Sequence, residues 1–110
     1  MNDCIFCKII AGEIPCTKVY EDETVFAFRD INPQAPVHIL VIPKKHVASL
    51  SDIDDLSIMQ DLTDAIQQIT KEKNITSYRT IINTGSEAGQ TVFHLHLHIL
   101  AGRPLLWPPG

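Results

Sequence analysis

No run of lysine and arginine occurs in the 110 residues, and the net charge is −4. A chain without a basic face is poorly suited to a nucleic-acid backbone or an anionic membrane, so neither is an expected partner. No apolar stretch approaches the roughly 20 residues of a membrane-spanning helix. The opening Met-Asn-Asp-Cys lacks the basic and long apolar parts of a secretory signal. Three cysteines, an odd number, do not make a disulfide framework. Together these absences imply a reducing, cytoplasmic setting. Repeats and low-complexity segments are missing too, so residues 1–110 are expected to form one domain. Hydrophobic residues supply 45% of it, enough for a globular core. A domain this small leaves much surface exposed, and pairing with a second copy would help its stability.

What is there reads as alternating short elements. Ile5, Phe6, Ile9 and Ile10 have helical spacing, with Asp3 as a candidate cap and Gly12 as a candidate stop. Residues 19–21 and 24–29 read as strands across a polar turn. Pro33 and Pro36 bracket an irregular loop, and the β-branched run 37–42 reads as a buried strand closed by Pro43. Residues 52–73 carry the clearest helix pattern. Ile58, Leu62, Ala65 and Ile69 form one stripe, widened by Met59 and Ile66, and Ser51 or Asp52 is placed to cap it. Residues 79–83 and 92–100 complete the strands, and the proline-rich tail is irregular. One long helix, one short N-terminal helix and hairpin-type connections predict an α+β fold with a mostly antiparallel five-stranded sheet. Its open edge invites a second chain.

Three of the five histidines fall in one line, His94-Leu95-His96-Leu97-His98. In extended chain, alternate side chains share a face, about 6–7 Å apart. The imidazoles then line one side, while Leu95, Leu97 and Ile99 line the other. That spacing suits a phosphate group. One imidazole can attack while its neighbour donates a hydrogen bond. Histidines at alternate positions of a strand are equally a metal-binding pattern, and a purely structural role is the third reading. The preceding loop, 83–91, contains Gly85 and Gly89, whose backbone can approach an anion closely, with hydroxyls from Ser86 and Thr91. It lacks the Gly-Lys-Ser/Thr ending of a Walker loop, and an ordinary surface turn is its alternative. Cys4 and Cys7 form a Cys-x-x-Cys pair with no second pair to match. Two histidines could complete a tetrahedral site; otherwise the pair is a reduced, half-buried one.

The row from His94 to Leu100 resembles the signature of the histidine triad (HIT) nucleotide-binding proteins. Residues 28–38, 41–46 and 83–91 are similar to that family's central segment and phosphate loop. The ending Trp107-Pro108-Pro109-Gly110 resembles the branch that hydrolyses purine nucleoside phosphoramidates. The resemblance implies a HIT-like fold and a homodimer with its sheet continued across the interface. It implies His96 as the nucleophile that becomes a nucleotidyl-histidine, with release of AMP or GMP. His98 would serve the phosphate or the leaving amine, with His38 and His94 behind the nucleophile. Asp30 would accept the ribose hydroxyls beside Ile31, and Phe6, Ile9 and Phe28 would line the base pocket. Asn83, Gly89, Gln90 and Thr91 would hold the phosphate, and Trp107 would reach the partner's site. In triad proteins that carry the cysteine pair, the other ligands correspond to His46 and His94. Cys4, Cys7, His46 and His94 are therefore expected to hold a structural zinc. Core packing is the alternative for Phe6, Ile9 and Phe28, and a turn role for Asp30. A dinucleoside polyphosphate or acyl-adenylate hydrolase, and a nucleotide-binding regulator with incidental turnover, are the competing functions.

Overall fold

A computed structural model describes residues 3–110. Helix α1 (Ile5–Ile10) is followed by strands β1 (Lys18–Glu21), β2 (Val25–Arg29) and β3 (Val37–Pro43). Then come a 3-10 turn (Leu50–Asp52), the long helix α2 (Ser57–Glu72), and strands β4 (Arg79–Ile81) and β5 (Leu97–Ala101). The strands form one sheet in the order β1-β2-β3-β5-β4, with every neighbouring pair antiparallel. This is the expected α+β fold with its five strands and two helices. Among the described residues, no helix is long and apolar enough to cross a membrane.

Alternation along the strands splits the interior in two. Val25, Ala27, Ile39, Val41, Leu95, Leu97 and Ile99 pack with Ile58, Leu62, Ala65, Ile66 and Ile69 of α2. Phe26, Phe28, Leu40 and Ile42 point to the other face and pack with Phe6 and Ile9 of α1. Helix α1 is too short to be stable alone, so this burial holds it in place. His38 belongs with Leu40 and Ile42 on the α1 face by the same parity. β3 and β5 pair His38 with Leu100 and Leu40 with His98, which makes His38 and His98 diagonal neighbours on that face.

Three local expectations are corrected. Helix α2 starts at Ser57, not at 52, and neither Ser51 nor Asp52 caps it. Asp52 instead accepts the Ser49 hydroxyl at 2.7 Å in the 3-10 turn, while Asp55 accepts the Ser57 amide at 3.0 Å. Helix α1 is capped by Cys4, whose Sγ accepts the Cys7 amide at 3.3 Å, in place of Asp3. The last strand begins at Leu97 and not at 92. Pro43, at the end of β3, has no N–H to continue the ladder, and its carbonyl accepts the ring N–H of His94 at 2.8 Å. Residues 94–96 still alternate: Leu95 enters the α2 core while His94 and His96 turn to the α1 face.

Candidate functional site

Hydrogen-bond partners assign the proton on each buried ring. A carbonyl only accepts, so His96 donates from Nδ1 to the His94 carbonyl at 2.7 Å. In the neutral ring, Nε2 then keeps its lone pair. His96 is only 8% exposed. Phe6 meets it edge to face with ring centroids 5.1 Å apart, and His98 stands at the same separation. The ring therefore has one orientation, set by main chain behind it and aromatic walls beside it.

A second chain of hydrogen bonds runs through His38. The Gln34 amide donates to His38 Nδ1 at 3.0 Å. A neutral His38 must then carry its proton on Nε2, which faces His98 Nδ1 at 2.9 Å and Asp30 Oδ2 at 3.4 Å. His98 in turn keeps its proton on Nε2, a buried atom with no partner of its own in the protein. Burial, and then the neighbouring His96 and His38 rings, hold His98 down to about 4, so it is neutral at pH 7. Burial also lowers His38, against the opposing pull of the Asp30 carboxylate. Asp30, His38 and His98 bring three ligand-type atoms together. The Gln34 amide makes His38 Nε2 a donor, which argues for a hydrogen-bond chain there over a metal site.

The rings open onto a cleft of ≈ 260 Å³ between α1, the end of β2 and the segment before β5. Phe6, Ile9, Phe28, Asp30, Ile31, Thr91, His96 and His98 all line it. Phe6 and Phe28, edge to face at 5.5 Å, give it an apolar aromatic side, and the His96 and His98 imidazoles give it a polar one. A planar apolar group at one end and an anion at the other would match this polarity.

Beside the cleft, Cys4, Cys7, His46 and His94 place their ligand atoms within 4.8 Å of one another, a group that could hold a metal ion. His94 donates from Nε2 to the Pro43 carbonyl, which strips Nδ1 and aims its lone pair at the cluster. That nitrogen lies 3.3 Å from Cys4 Sγ, 3.5 Å from Cys7 Sγ and 3.2 Å from His46 Nδ1. Burial lowers His94 from its ordinary value, against the Pro43 hydrogen bond that raises it, and the His46 and His96 rings lower it further, the direction that favours a neutral ligand.

A HIT domain is matched over residues 11–105. The chain belongs to the HIT family. An uncharacterized HIT-like protein of Synechocystis sp. is 51% identical over 112 residues, covering 99% of this chain and 98% of its own length. The crystal structure of a HIT family hydrolase from Legionella pneumophila superposes with a TM-score of 0.93 at 45% identity, covering 98% of this chain and 100% of that one. A histidine triad protein from Clostridium difficile superposes with a TM-score of 0.92 at 56% identity, with 96% of each chain covered.

Within this HIT domain, the expected site residues sort by place. His38 backs His98 and not His96, because the β3–β5 register sets those two side by side. His94 reaches His96 through its carbonyl, while its ring faces the cysteines. Asp30 lines the cleft and also accepts the Asn32 amide at 2.8 Å, so the turn role and the cleft role coexist. Gln90 departs from expectation. It is 3% exposed, its amide nitrogen donates to the Ala48 and Val92 carbonyls, and its oxygen accepts the Gly85 amide. Its side chain braces the loop and has no group left for a phosphate. Gly89 has φ +102 and sits against the Asn83 amide, with a Cβ there only 3.5 Å away. Asn83, Gly89 and Trp107 stand outside the cleft lining, and Trp107 is 82% exposed. Sequence reading missed Ile5 and Arg29, at the ends of α1 and β2, and beyond them Ile14, Pro15, Cys16, Leu40 and Val92 as lining residues. Leu40 was legible from strand parity with His38; Ile14, Pro15, Cys16 and Val92 lie on irregular chain with no period to read.

Proposed function

We propose that the protein hydrolyses purine nucleoside phosphoramidates to AMP or GMP. The observation that carries this is that His96, with Nδ1 tied to the His94 carbonyl, and His98, with a buried Nε2 that has no partner in the protein, line one cleft. In the first step His96 Nε2 bonds to the α-phosphorus as the phosphorus–nitrogen bond breaks, and the departing nitrogen takes up a proton from solvent, which the water of the second step returns, and leaves as the amine. Water then attacks the same phosphorus, releasing the monophosphate and restoring His96. His98 donates a hydrogen bond to a phosphoryl oxygen or the departing nitrogen, where charge changes during the reaction. Asp30 accepts the ribose hydroxyls with Ile31 beside the sugar, and the base lies against Phe6, Ile9 and Phe28. Thr91 faces the phosphate, with Asn83 and Gly89 shaping its loop.

The metal cluster fits zinc. Tetrahedral bonds of zinc to imidazole and thiolate put ligand atoms about 3.3 Å apart for two nitrogens and about 3.6 Å for sulfur and nitrogen. The contacts of 3.2 Å between nitrogens and 3.3–3.5 Å between sulfur and nitrogen match those edges. Zinc here is structural, pinning α1 to the segment before β5. The reading includes a homodimer joined through the edge strand β4, with Trp107 extended toward the partner's cleft, in a reducing cytoplasm that keeps the thiolates available.

The test is a panel of adenosine and guanosine phosphoramidates, acyl-adenylates and dinucleoside polyphosphates, assayed with wild type and His96→Ala. Phosphoramidates should be turned over fastest. His96→Ala should lose at least about 10³-fold in kcat while still binding AMP, and wild type should give an acid-labile nucleotidyl adduct on His96 by mass spectrometry. Full activity in His96→Ala would refute the nucleophile, and faster turnover of dinucleotides would replace the substrate class.

A further inference from the structure

We propose that Arg103 is a positioning residue for the proton on His98, acting through Gln34 and His38. The proposal rests on the reading that His98 serves the reacting phosphate as a hydrogen-bond donor. The β3–β5 ladder ends where Val37 meets Ala101, and contact between the segments flanking the two strands continues beyond it. Gly102 has φ +95, and a Cβ placed there would come within 2.9 Å of Pro36 Cβ. Only glycine lets the chain turn this close to the proline. Arg103 then donates from Nε to the Gln34 carbonyl at 3.1 Å, and from Nη1 to the Pro104 carbonyl at 3.0 Å. Two fixed acceptors hold the planar guanidinium in one orientation, and bonds from a charged donor are the stronger kind.

Gln34 is the residue whose amide decides the tautomer of His38. With that amide in place, His38 must donate from Nε2, His98 must accept at Nδ1, and the His98 proton sits on Nε2, a buried atom without a partner on a ring that lines the cleft. Without it, either ring can shift its proton to the other nitrogen, and His98 presents a lone pair to the phosphoryl group in part of the population. A lone pair facing an anionic oxygen repels where a donor would stabilise. Gly102 and Arg103 lie outside the cleft lining, so they act on orientation and not on substrate contact.

The experiment uses full-length Arg103→Ala, Arg103→Lys and Gly102→Ala, with ring nitrogens of 15N-histidine-labelled protein followed by NMR at pH 8. Wild type should show His98 as the single Nε2–H tautomer. Arg103→Ala should show a mixture, lower kcat for a phosphoramidate by about tenfold, and leave KM within about twofold. Arg103→Lys, which keeps a cationic donor, should recover most of both. Gly102→Ala, which pushes on Pro36, should scramble the tautomer as Arg103→Ala does. Unchanged ring nitrogens in Arg103→Ala overturn the proposal, as does a tautomer mixture with unaltered kcat. The ring spectrum needs no substrate, so its outcome is separate from that of the phosphoramidate panel.

Discussion

Burial and two neighbouring imidazoles hold His98 at about 4, below its ordinary 6.5. The sign of the consequence follows. Between about pH 6.5 and 4 the unfolded chain accepts a proton that the folded chain refuses, so stability is complete above 6.5 and falls as pH is lowered through that window. His98→Asn should unfold with a smaller loss of Tm between pH 7 and 5 than wild type, measured by calorimetry. An equal loss in both proteins would show that His98 does not titrate this way. At this scale the sequence was informative about which residues matter and less about what each one does. His94, His96 and His98 were legible as a row. That His94 turns its ring to the cysteines and only its carbonyl to His96 depends on Pro43, 51 positions away. Gln90 shows the same limit: a polar residue in a glycine loop reads as a ligand group until its side chain is seen bonded to Gly85 and Val92 of its own loop and to the distant Ala48.

Helix α1 is the element on which the two sites meet. Cys4 and Cys7 face the metal cluster, while Phe6 between them meets His94, His96 and Phe28. At six residues it has little intrinsic stability, so aromatic packing, together with a metal at the cluster in the proposed reading, holds it. Removing the metal with a chelator should lower Tm by at least about 5 °C, what roughly 1 kcal/mol is worth in a chain of this size. It should also weaken AMP binding, because the Phe6 wall moves with the helix. A metal-depleted protein with the same Tm and the same AMP affinity would show that the cluster does not support α1. Helix α2 was the most legible element, since its apolar stripe is periodic over several turns. Its start was not: Ser51 and Asp52 read as caps, but Asp52 closes the 3-10 turn, and it is Asp55 that accepts the Ser57 amide at the helix start.

For the whole molecule, the sheet ends at β4, a three-residue edge strand, with Tyr78, Leu106 and Trp107 exposed nearby in sequence or fold. Sedimentation should give twice the 12.3 kDa chain mass at micromolar concentration. A mass of 12.3 kDa at every concentration would remove the dimer and the role of Trp107 in a partner's cleft.

Local pattern alone determined the α+β class, the five strands, the long helix and the row of imidazoles, because periodicity and turn residues act over a few positions. Only the tertiary structure decided which partners fix the tautomers of His38, His94, His96 and His98, which groups the Gln90 side chain bonds, and where the last strand begins. Several of them depend on single donors or acceptors from distant segments, the Pro43 carbonyl on His94, the His38 ring on His98 and the Ala48 carbonyl on Gln90, at distances that no spacing along the chain encodes.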